Sequence, residues 1–126
     1  MKEQLKHVED FHNAFGESNA SSPQLLNEDT FMLRHDLMAE ENKEYLDACW
    51  EGDIIGIADA LGDQLYILCG TILKHGLQDK IVEVFNEIQR SNMSKLGEDG
   101  KPIRREDGKI LKGPGYTPPN IGEILK

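Results

Sequence analysis

The chain has 126 residues, a length that suits one domain with a core of its own. Apolar residues make up 38% of it and aromatic residues only 6%, which favours helices over strands rich in β-branched and aromatic side chains. The formal net charge of -9 argues against a general DNA- or RNA-binding protein, because such proteins carry basic patches for the phosphates.

The charge is unevenly distributed along the chain. Residues 1–90 hold 18 acids and 7 bases, whereas residues 91–126 hold 5 acids and 7 bases. The N-terminus has no apolar run of signal-peptide length, and no stretch of about 18 residues is both apolar and free of charge. We therefore expect a soluble, cytoplasmic protein with no membrane partner. Cys49 and Cys69 have no metal-type spacing and are predicted to be plain buried residues.

Two helices are predicted in the first fifty residues. Residues 3–15 place apolar side chains on one side, and Gly16 then begins a polar loop, "ESNASSPQ". A second helix is expected to begin after a cap at Asn27 or Asp29 and to continue to about Trp50.

Two further helices complete the predicted body, residues 3–90. Asp53 is the expected cap of a third helix over 54–75, which stops at Gly76. A fourth helix is predicted over about 78–90 from its helical apolar spacing. Short loops between four helices predict an all-α fold, an antiparallel four-helix bundle, as a single domain over the whole chain.

The tail, residues 91–126, differs in composition from the body. It is rich in Gly, Pro and charge, and it contains "EDGK" twice, at 98–101 and 106–109. Asp107 and Gly108 lie between "PIRR" and "KILK", a pattern that predicts a tight hairpin turn. We expect the tail to form a Gly/Pro-rich flap or a short hairpin packed on the bundle.

The third helix carries two charges in an otherwise apolar pattern. "IIGIADALGDQLYILCGTIL" is apolar nearly all round, and its only charged residues are Asp59 and Asp63. These are four residues apart, so they lie on one face, where like charges repel. No Lys or Arg within this stretch could neutralise them, although burial of an unpaired carboxylate is costly.

Three more acids lie on the inward face of the second helix. Glu40, Glu41 and Glu44 fall within an arc of about 100° that also holds apolar side chains. The short loop at 51–53 makes the two helices antiparallel neighbours, so five carboxylates can meet in one cleft. A hard divalent cation such as Mg²⁺ or Mn²⁺ would resolve their repulsion, because these ions prefer oxygen ligands.

Two other interpretations of the acids are possible. "EENKE" by itself is typical of a solvated helix face. A di-iron carboxylate bundle also has acid-lined helices, but that site uses two Glu-x-x-His motifs, and this chain has only Glu9 with His12. The combination of both acidic motifs favours a site for a divalent cation.

"EENKE" followed by "DALGD" resembles the E-E-x-x-E … E/D-x-x-D signature of the all-α nucleoside triphosphate pyrophosphohydrolases. That superfamily includes MazG-like proteins, dimeric dUTPases and phosphoribosyl-ATP pyrophosphohydrolase. The similarity is strongest for small MazG-like members and extends to "YILCGTILKHG" and "SNMSK", from about Phe11 to Pro119. It implies a Mg²⁺-dependent hydrolase that splits a nucleoside triphosphate into the monophosphate and pyrophosphate.

The resemblance also implies roles for individual residues. Glu41 and Glu44 match the first acidic pair of metal ligands, Glu40 precedes them, and Asp63 matches the closing aspartate. Ala60 stands where the family often has Glu, and Asp59 is the candidate that replaces this ligand. Glu40 or Glu41 is the expected catalytic base. The family resemblance further implies a homodimer or homotetramer in which neighbouring helices complete the site.

Several residues outside the acidic motifs are candidates for substrate binding. Asn92 and Lys95 can offer an amide and a cation to phosphate or sugar oxygens, although a cation at a helix C-terminus is also favourable without a ligand. Lys112 and Tyr116 accompany the "GPGY" turn, where glycines allow close approach of the backbone to a phosphate. The aromatic stripe of the first helix (Phe11, His12, Phe15) could stack on a base or belong to the core.

We therefore expect a Mg²⁺-dependent pyrophosphohydrolase that acts on a (deoxy)nucleoside triphosphate and serves nucleotide-pool house-cleaning. The alternatives are the phosphoribosyl-ATP pyrophosphohydrolase of histidine biosynthesis and a non-catalytic helical oligomer that binds a cation. The histidine-pathway alternative is the weaker one, because the chain lacks a basic stretch directly before its Glu pair and carries an extra tail.

Overall fold

The computed structural model describes every residue from Met1 to Lys126 and consists of helices with one short hairpin. The elements are α1 (Lys2–Ala14), α2 (Glu28–Glu51), α3 (Ile54–Lys74), α4 (Ile81–Met93), β1 (Ile103–Arg104), β2 (Ile110–Leu111) and α5 (Ile121–Ile124). The predicted all-α class is confirmed, and the first four helices lie within a few residues of their predicted bounds. The short helix α5 is an addition that apolar spacing does not indicate.

The chain divides into two compact units, Met1–Asp79 and Lys80–Lys126. Helix α4 therefore belongs with the tail, whereas the sequence places it with the body. The interpretation of residues 1–126 as one domain stays a prediction.

The first unit contains α1, α2 and α3, with α3 packed against both of the others. Local capping explains where α2 and α3 begin: the Asn27 side chain accepts a hydrogen bond from the Thr30 amide at 2.9 Å, and Asp53 accepts one from the Gly56 amide at 3.0 Å. Only residues 52 and 53 separate the two helices, so they run antiparallel and adjacent.

The core of the first unit consists mostly of small and aliphatic side chains: Leu5, Val8, Ala20, Ala48, Ala60, Cys69, Ile72 and Leu73. Cys69 is fully buried, as predicted. The prediction that Cys49 is also buried is wrong, because it is exposed next to the buried Ala48. Successive residues on a helix point about 100° apart, so apolar type alone does not decide burial.

Helix α3 stops just before Gly76, which lies against the loop that follows α1. Gly76 has a φ of +70°, and its amide donates to the Leu73 carbonyl at 3.1 Å, while Leu77 donates to Ile72 at 3.0 Å. This pair of bonds is a Schellman ending, which favours glycine at the left-handed position. A Cβ at Gly76 would also lie 2.0 Å from the Ser22 carbonyl oxygen. The predicted stop at Gly76 therefore has two physical causes.

The second unit contains the hairpin that the sequence predicts. Ile103 pairs with Leu111 and Arg104 with Ile110, in antiparallel register. The turn between the strands includes Gly108, with a φ of +89°. The Arg105 amide donates to the Lys109 carbonyl at 2.8 Å, which leaves a three-residue loop, 106–108, that ends on this left-handed glycine, so the predicted turn is present. Packing of this hairpin on the helices stays a prediction.

The C-terminal segment, residues 113–120, is held against α4 by polar side chains. Arg90 donates to the Thr117 hydroxyl at 2.6 Å and to the Pro118 carbonyl at 3.2 Å. The Glu87 carboxylate accepts from the Asn120 amide at 2.7 Å and pairs with Arg90. Hydrogen bonds from Arg90 and then from the Asn120 amide lower the pKa of Glu87 to about 2.

Gly76→Ala should destabilise the first unit by about 3 kcal/mol, since the left-handed backbone and the Ser22 clash both oppose a side chain. Gly16→Ala is the matched control: its φ is +73°, but no atom lies within 4 Å of an added Cβ. It should cost only about 1 kcal/mol. Urea unfolding followed by circular dichroism measures both. Equal losses would show that the Ser22 contact is relieved without cost.

Candidate active site

The antiparallel pairing of α2 and α3 brings three carboxylates together. One oxygen each of Glu41, Glu44 and Asp63 lies within 4.8 Å of the other two. Glu41 and Glu44 are three residues apart on α2, which places them on neighbouring positions of one helix surface. We call these three residues the acidic triad. All three are among the metal ligands that the sequence predicts.

Glu41 is the most constrained member of the acidic triad. Its Oε2 atom is buried and has no hydrogen-bond partner. Loss of solvation raises the pKa of Glu41 to about 7, and the neighbouring carboxylates of Glu44, Asp63 and Glu40 raise it further. The protein alone therefore leaves one buried acceptor oxygen of this cluster unsatisfied.

No basic side chain balances the acidic triad. None of the ion pairs in the structure includes any of its three residues. Lys43 is close in sequence, but it pairs with Asp47 at 2.8 Å. Hard divalent cations prefer carboxylate oxygens, and an unpaired buried oxygen supplies such a ligand. The residues present therefore fit a divalent cation.

Two other predicted site residues lie outside the acidic triad. Glu40 is exposed, although its charge contributes to the raised pKa of Glu41. Asp59 is also exposed, one turn before Asp63 on α3, and its carboxylate is not part of the cluster. Of the two aspartates on this face of α3, the structure thus places only Asp63 with the glutamates.

Two amide side chains to which the motif assigns no role, those of Asn42 and Gln64, adjoin the acidic triad in sequence. Gln64 donates a hydrogen bond to the Asn42 side chain at 3.2 Å and so joins α3 to α2. Both residues line a cavity of 480 Å³ together with His35, Met38, Ala39 and Leu68. The available sequence signal was that Gln64 is one of very few polar residues in an apolar helix.

The aromatic stripe of α1 is largely occupied by contacts within the protein. Phe11 packs on Phe15 with ring centroids 4.4 Å apart and meets the Tyr66 ring edge-on at 5.6 Å. His12 is buried and shares a hydrogen bond of 2.6 Å with Asn19. Only His12 of the stripe is a core residue, because Phe11 is 43% exposed and Phe15 is 71% exposed, so base stacking by the two phenylalanine rings stays a prediction.

The four predicted substrate-binding residues all lie in the second unit. Asn92 is exposed in the last turn of α4, and the Lys95 carbonyl accepts a hydrogen bond from the Gly113 amide at 2.8 Å. The Lys112 ammonium lies over the Tyr116 ring, 4.8 Å from its centroid. Their role as substrate contacts stays a prediction.

Comparison with known families identifies the class of protein. Residues 8–92, which include the whole acidic triad, match the family described as phosphoribosyl-ATP pyrophosphohydrolase. The chain belongs to this family. The resemblance inferred from "EENKE" and "DALGD" is thereby confirmed.

A solved structure supports the same assignment for this member of the pyrophosphohydrolase family. The crystal structure of a protein from Exiguobacterium sp. 255-15, provisionally described as an NTP pyrophosphohydrolase, is 27% identical in sequence, with a TM-score of 0.55. The alignment covers 97% of this chain and 93% of that chain. Among curated proteins none matches. Family and neighbour together support pyrophosphohydrolase activity.

In this family member, Glu44→Gln and Asp63→Asn should each raise the melting temperature in the presence of a chelator. Each change removes one of three like charges that lie within 4.8 Å of one another. With added Mg²⁺ the wild type should instead have the highest melting temperature of the three proteins. Mg²⁺ at about 100 times its dissociation constant would stabilise the wild type by about 2.7 kcal/mol.

Glu51→Gln is the control for a general charge effect, since Glu51 is exposed at the end of α2 and has no ion pair. It should keep the response of the wild type to Mg²⁺. Thermal unfolding with chelator and with Mg²⁺ measures all four proteins. A loss of stability in both triad variants under chelator would mean that these carboxylates make favourable contacts within the protein.

Proposed function

We propose that this protein is a Mg²⁺-dependent nucleotide pyrophosphohydrolase that cleaves a (deoxy)nucleoside triphosphate to the monophosphate and pyrophosphate. The observation that carries the proposal is the acidic triad: three carboxylates within 4.8 Å of one another and no basic partner, in a chain of a pyrophosphohydrolase family. A role in removing unwanted nucleotides from the cellular pool is consistent with this activity.

The acidic triad would hold the cation, and other residues would handle the proton and the substrate. When bound, a divalent cation would supply positive charge that offsets the phosphate charges, and it would lower the pKa of the attacking water toward neutral pH. Glu40 is exposed beside Glu41 and outside the cluster, so its carboxylate is free to accept a proton from that water. Glu41 is the alternative base. The buried position of its Oε2 limits its access to water.

The proposed substrate contacts are Asn92, Lys95, Lys112 and Tyr116. Their chemistry supports the proposal, because two ammonium groups and an amide can bind phosphate oxygens, while an aromatic ring can cover a sugar or base. The tail that contains them is slightly basic, with 7 bases and 5 acids over residues 91–126.

A second candidate is the phosphoribosyl-ATP pyrophosphohydrolase reaction of histidine biosynthesis. The match of residues 8–92 to the family of that name favours it directly. Both candidates break the same type of phosphoric anhydride bond with the same acidic triad, so only a comparison of substrates distinguishes them. A non-catalytic oligomer that binds a cation would hydrolyse neither substrate.

The experiment is a panel of nucleoside triphosphates, deoxynucleoside triphosphates and phosphoribosyl-ATP, assayed for pyrophosphate release with and without Mg²⁺. We expect Mg²⁺-dependent release with a preference for one triphosphate. Asp63→Asn should lower kcat/KM by at least about 100-fold, because even outer partners of metal ligands cost 10–100-fold.

Asp59→Asn is the matched control on the same helix, one turn away and exposed. A small effect would leave the acidic triad as the complete carboxylate set, whereas a loss equal to that of Asp63→Asn would add Asp59 to the ligands. Release from phosphoribosyl-ATP alone would select the second candidate. No release from any substrate by the folded protein would refute both enzyme candidates.

We also propose that the protein is a homodimer or homotetramer. Large apolar side chains are strongly exposed where α2 ends and α3 begins: Trp50 by 83%, Ile54 by 73% and Ile55 by 81%. By length and composition alone, α3 is apolar enough to cross a membrane, and only 17% of its most apolar window is buried. A second copy would cover such a surface.

Light scattering at micromolar concentration should give at least twice the mass of one chain, and Trp50→Glu should shift it toward the monomer, since a buried charge opposes association. Glu51→Gln is a control that removes a neighbouring charge without adding one to the apolar surface. A wild-type monomer would contradict the proposal.

A further inference from the structure

Arg34 makes an unusual polar connection between α2 and α3. Its Nε donates to the Thr71 hydroxyl at 3.0 Å, and its Nη2 donates to the Ile67 carbonyl at 2.9 Å. The only other hydrogen bond between these helices joins Gln64 to Asn42. Arg34 is half-buried, so its guanidinium needs acceptors from the protein, whereas an arginine on the surface can donate to water.

The two acceptors of the Arg34 guanidinium are also hydrogen-bonded to each other. The Thr71 hydroxyl donates its single hydrogen to the Ile67 carbonyl at 2.9 Å, so its lone pairs are left to accept from Arg34. The planar fork of the guanidinium thus contacts two acceptors that are fixed relative to each other. Such a two-point contact sets both the distance and the register between the helices.

Gly70 leaves the space that this contact needs. A Cβ on Gly70 would lie 2.5 Å from the Arg34 Nη2 atom and 3.0 Å from the His12 Nε2 atom. Gly62, on the same helix, has no atom within 4 Å of an added Cβ. The requirement for glycine is therefore specific to the position over which the guanidinium passes.

The Arg34 contact and the acidic triad lie on the same helix–helix interface. Arg34 precedes Glu41 by seven residues, which is two turns along one face of α2, or about 10 Å. Ile67 follows Asp63 by one turn on α3. Repulsion within the acidic triad pushes the helices apart at one level, and Arg34 holds them together two turns away.

We propose that Arg34 is a positioning residue for the metal site: its bonds to Ile67 and Thr71 set the register that places Glu41 and Glu44 opposite Asp63. This inference rests on the proposed function, in that the acidic triad binds a divalent cation. Arg34 itself is outside the acidic triad, two turns before Glu41 on α2.

The test uses Mn²⁺ alone as the probe, with the free ion measured by electron paramagnetic resonance. Arg34→Met and Thr71→Val should each raise the dissociation constant for Mn²⁺, by about 10-fold for Arg34→Met, the lower end of the range for residues that act through metal ligands. Thr71→Ser keeps the hydroxyl and should bind Mn²⁺ like the wild type. Gly70→Ala should weaken binding, and Gly62→Ala should not.

Gly76→Ala separates this effect from a general loss of stability. It destabilises the same unit just after the C-terminus of α3, where an added Cβ would meet Ser22 and Ala20 and not Arg34, and it should leave the Mn²⁺ affinity unchanged. The double variant Arg34→Met/Thr71→Val should bind Mn²⁺ no more weakly than Arg34→Met alone, because Arg34→Met already removes the bond that Thr71→Val breaks.

Each outcome bears on the inference. Weaker Mn²⁺ binding in Thr71→Val, restored in Thr71→Ser, supports it, and this pair decides the matter even where Arg34→Met does not fold. Wild-type affinity in folded Arg34→Met or Thr71→Val overturns it while the proposed function stands. Affinity that falls equally in Gly76→Ala overturns it in favour of general stability. Absence of Mn²⁺ binding by the wild type overturns both proposals.

Discussion

The antiparallel contact between α2 and α3 is the constraint on which the candidate site depends. Its two-residue turn fixes which helix faces meet, and the Asp53 cap fixes where α3 begins. Two carboxylates from one helix and one from the other then lie within 4.8 Å. Such an arrangement is unfavourable for the apo protein, since it combines like charges with a buried oxygen that has no partner. A strongly shifted pKa such as that of Glu41 is common at functional sites, which makes this cluster the candidate site.

The sequence alone predicted the features of this structure that depend on neighbouring residues in the chain. Apolar spacing located four helices, the side chains of Asn27 and Asp53 do cap α2 and α3, and Gly76 does end α3. Acids in an inward-facing or apolar pattern conflict with burial, and this conflict pointed to five carboxylates, those of Glu40, Glu41, Glu44, Asp59 and Asp63. The resemblance to the pyrophosphohydrolase signature then implied which of them are ligands. Each of these predictions uses residues close together in the chain.

The remaining features depend on pairs that are distant in sequence. Asp59 and Asp63 share a helix face, and only the register of α2 against α3 decides which of them joins the glutamates. That register depends in part on Arg34 and Thr71, which are 37 residues apart and belong to no motif. The exposure of Cys49 is a similar case, since an apolar neighbour does not reveal which side of a helix faces the core.

The carboxylate of Glu87 has a consequence for the C-terminal segment. A carboxylate whose pKa is lowered to about 2 contributes its full stabilisation above its ordinary pKa of about 4.5 and loses it only as the pH falls toward 2. Prolines 118 and 119 have no amide hydrogen, so the Asn120 amide that Glu87 binds is the first backbone donor of this segment after Thr117. The chain end therefore keeps the same attachment to α4 through neutral and mildly acidic conditions, and acidification of a cellular compartment would not release it.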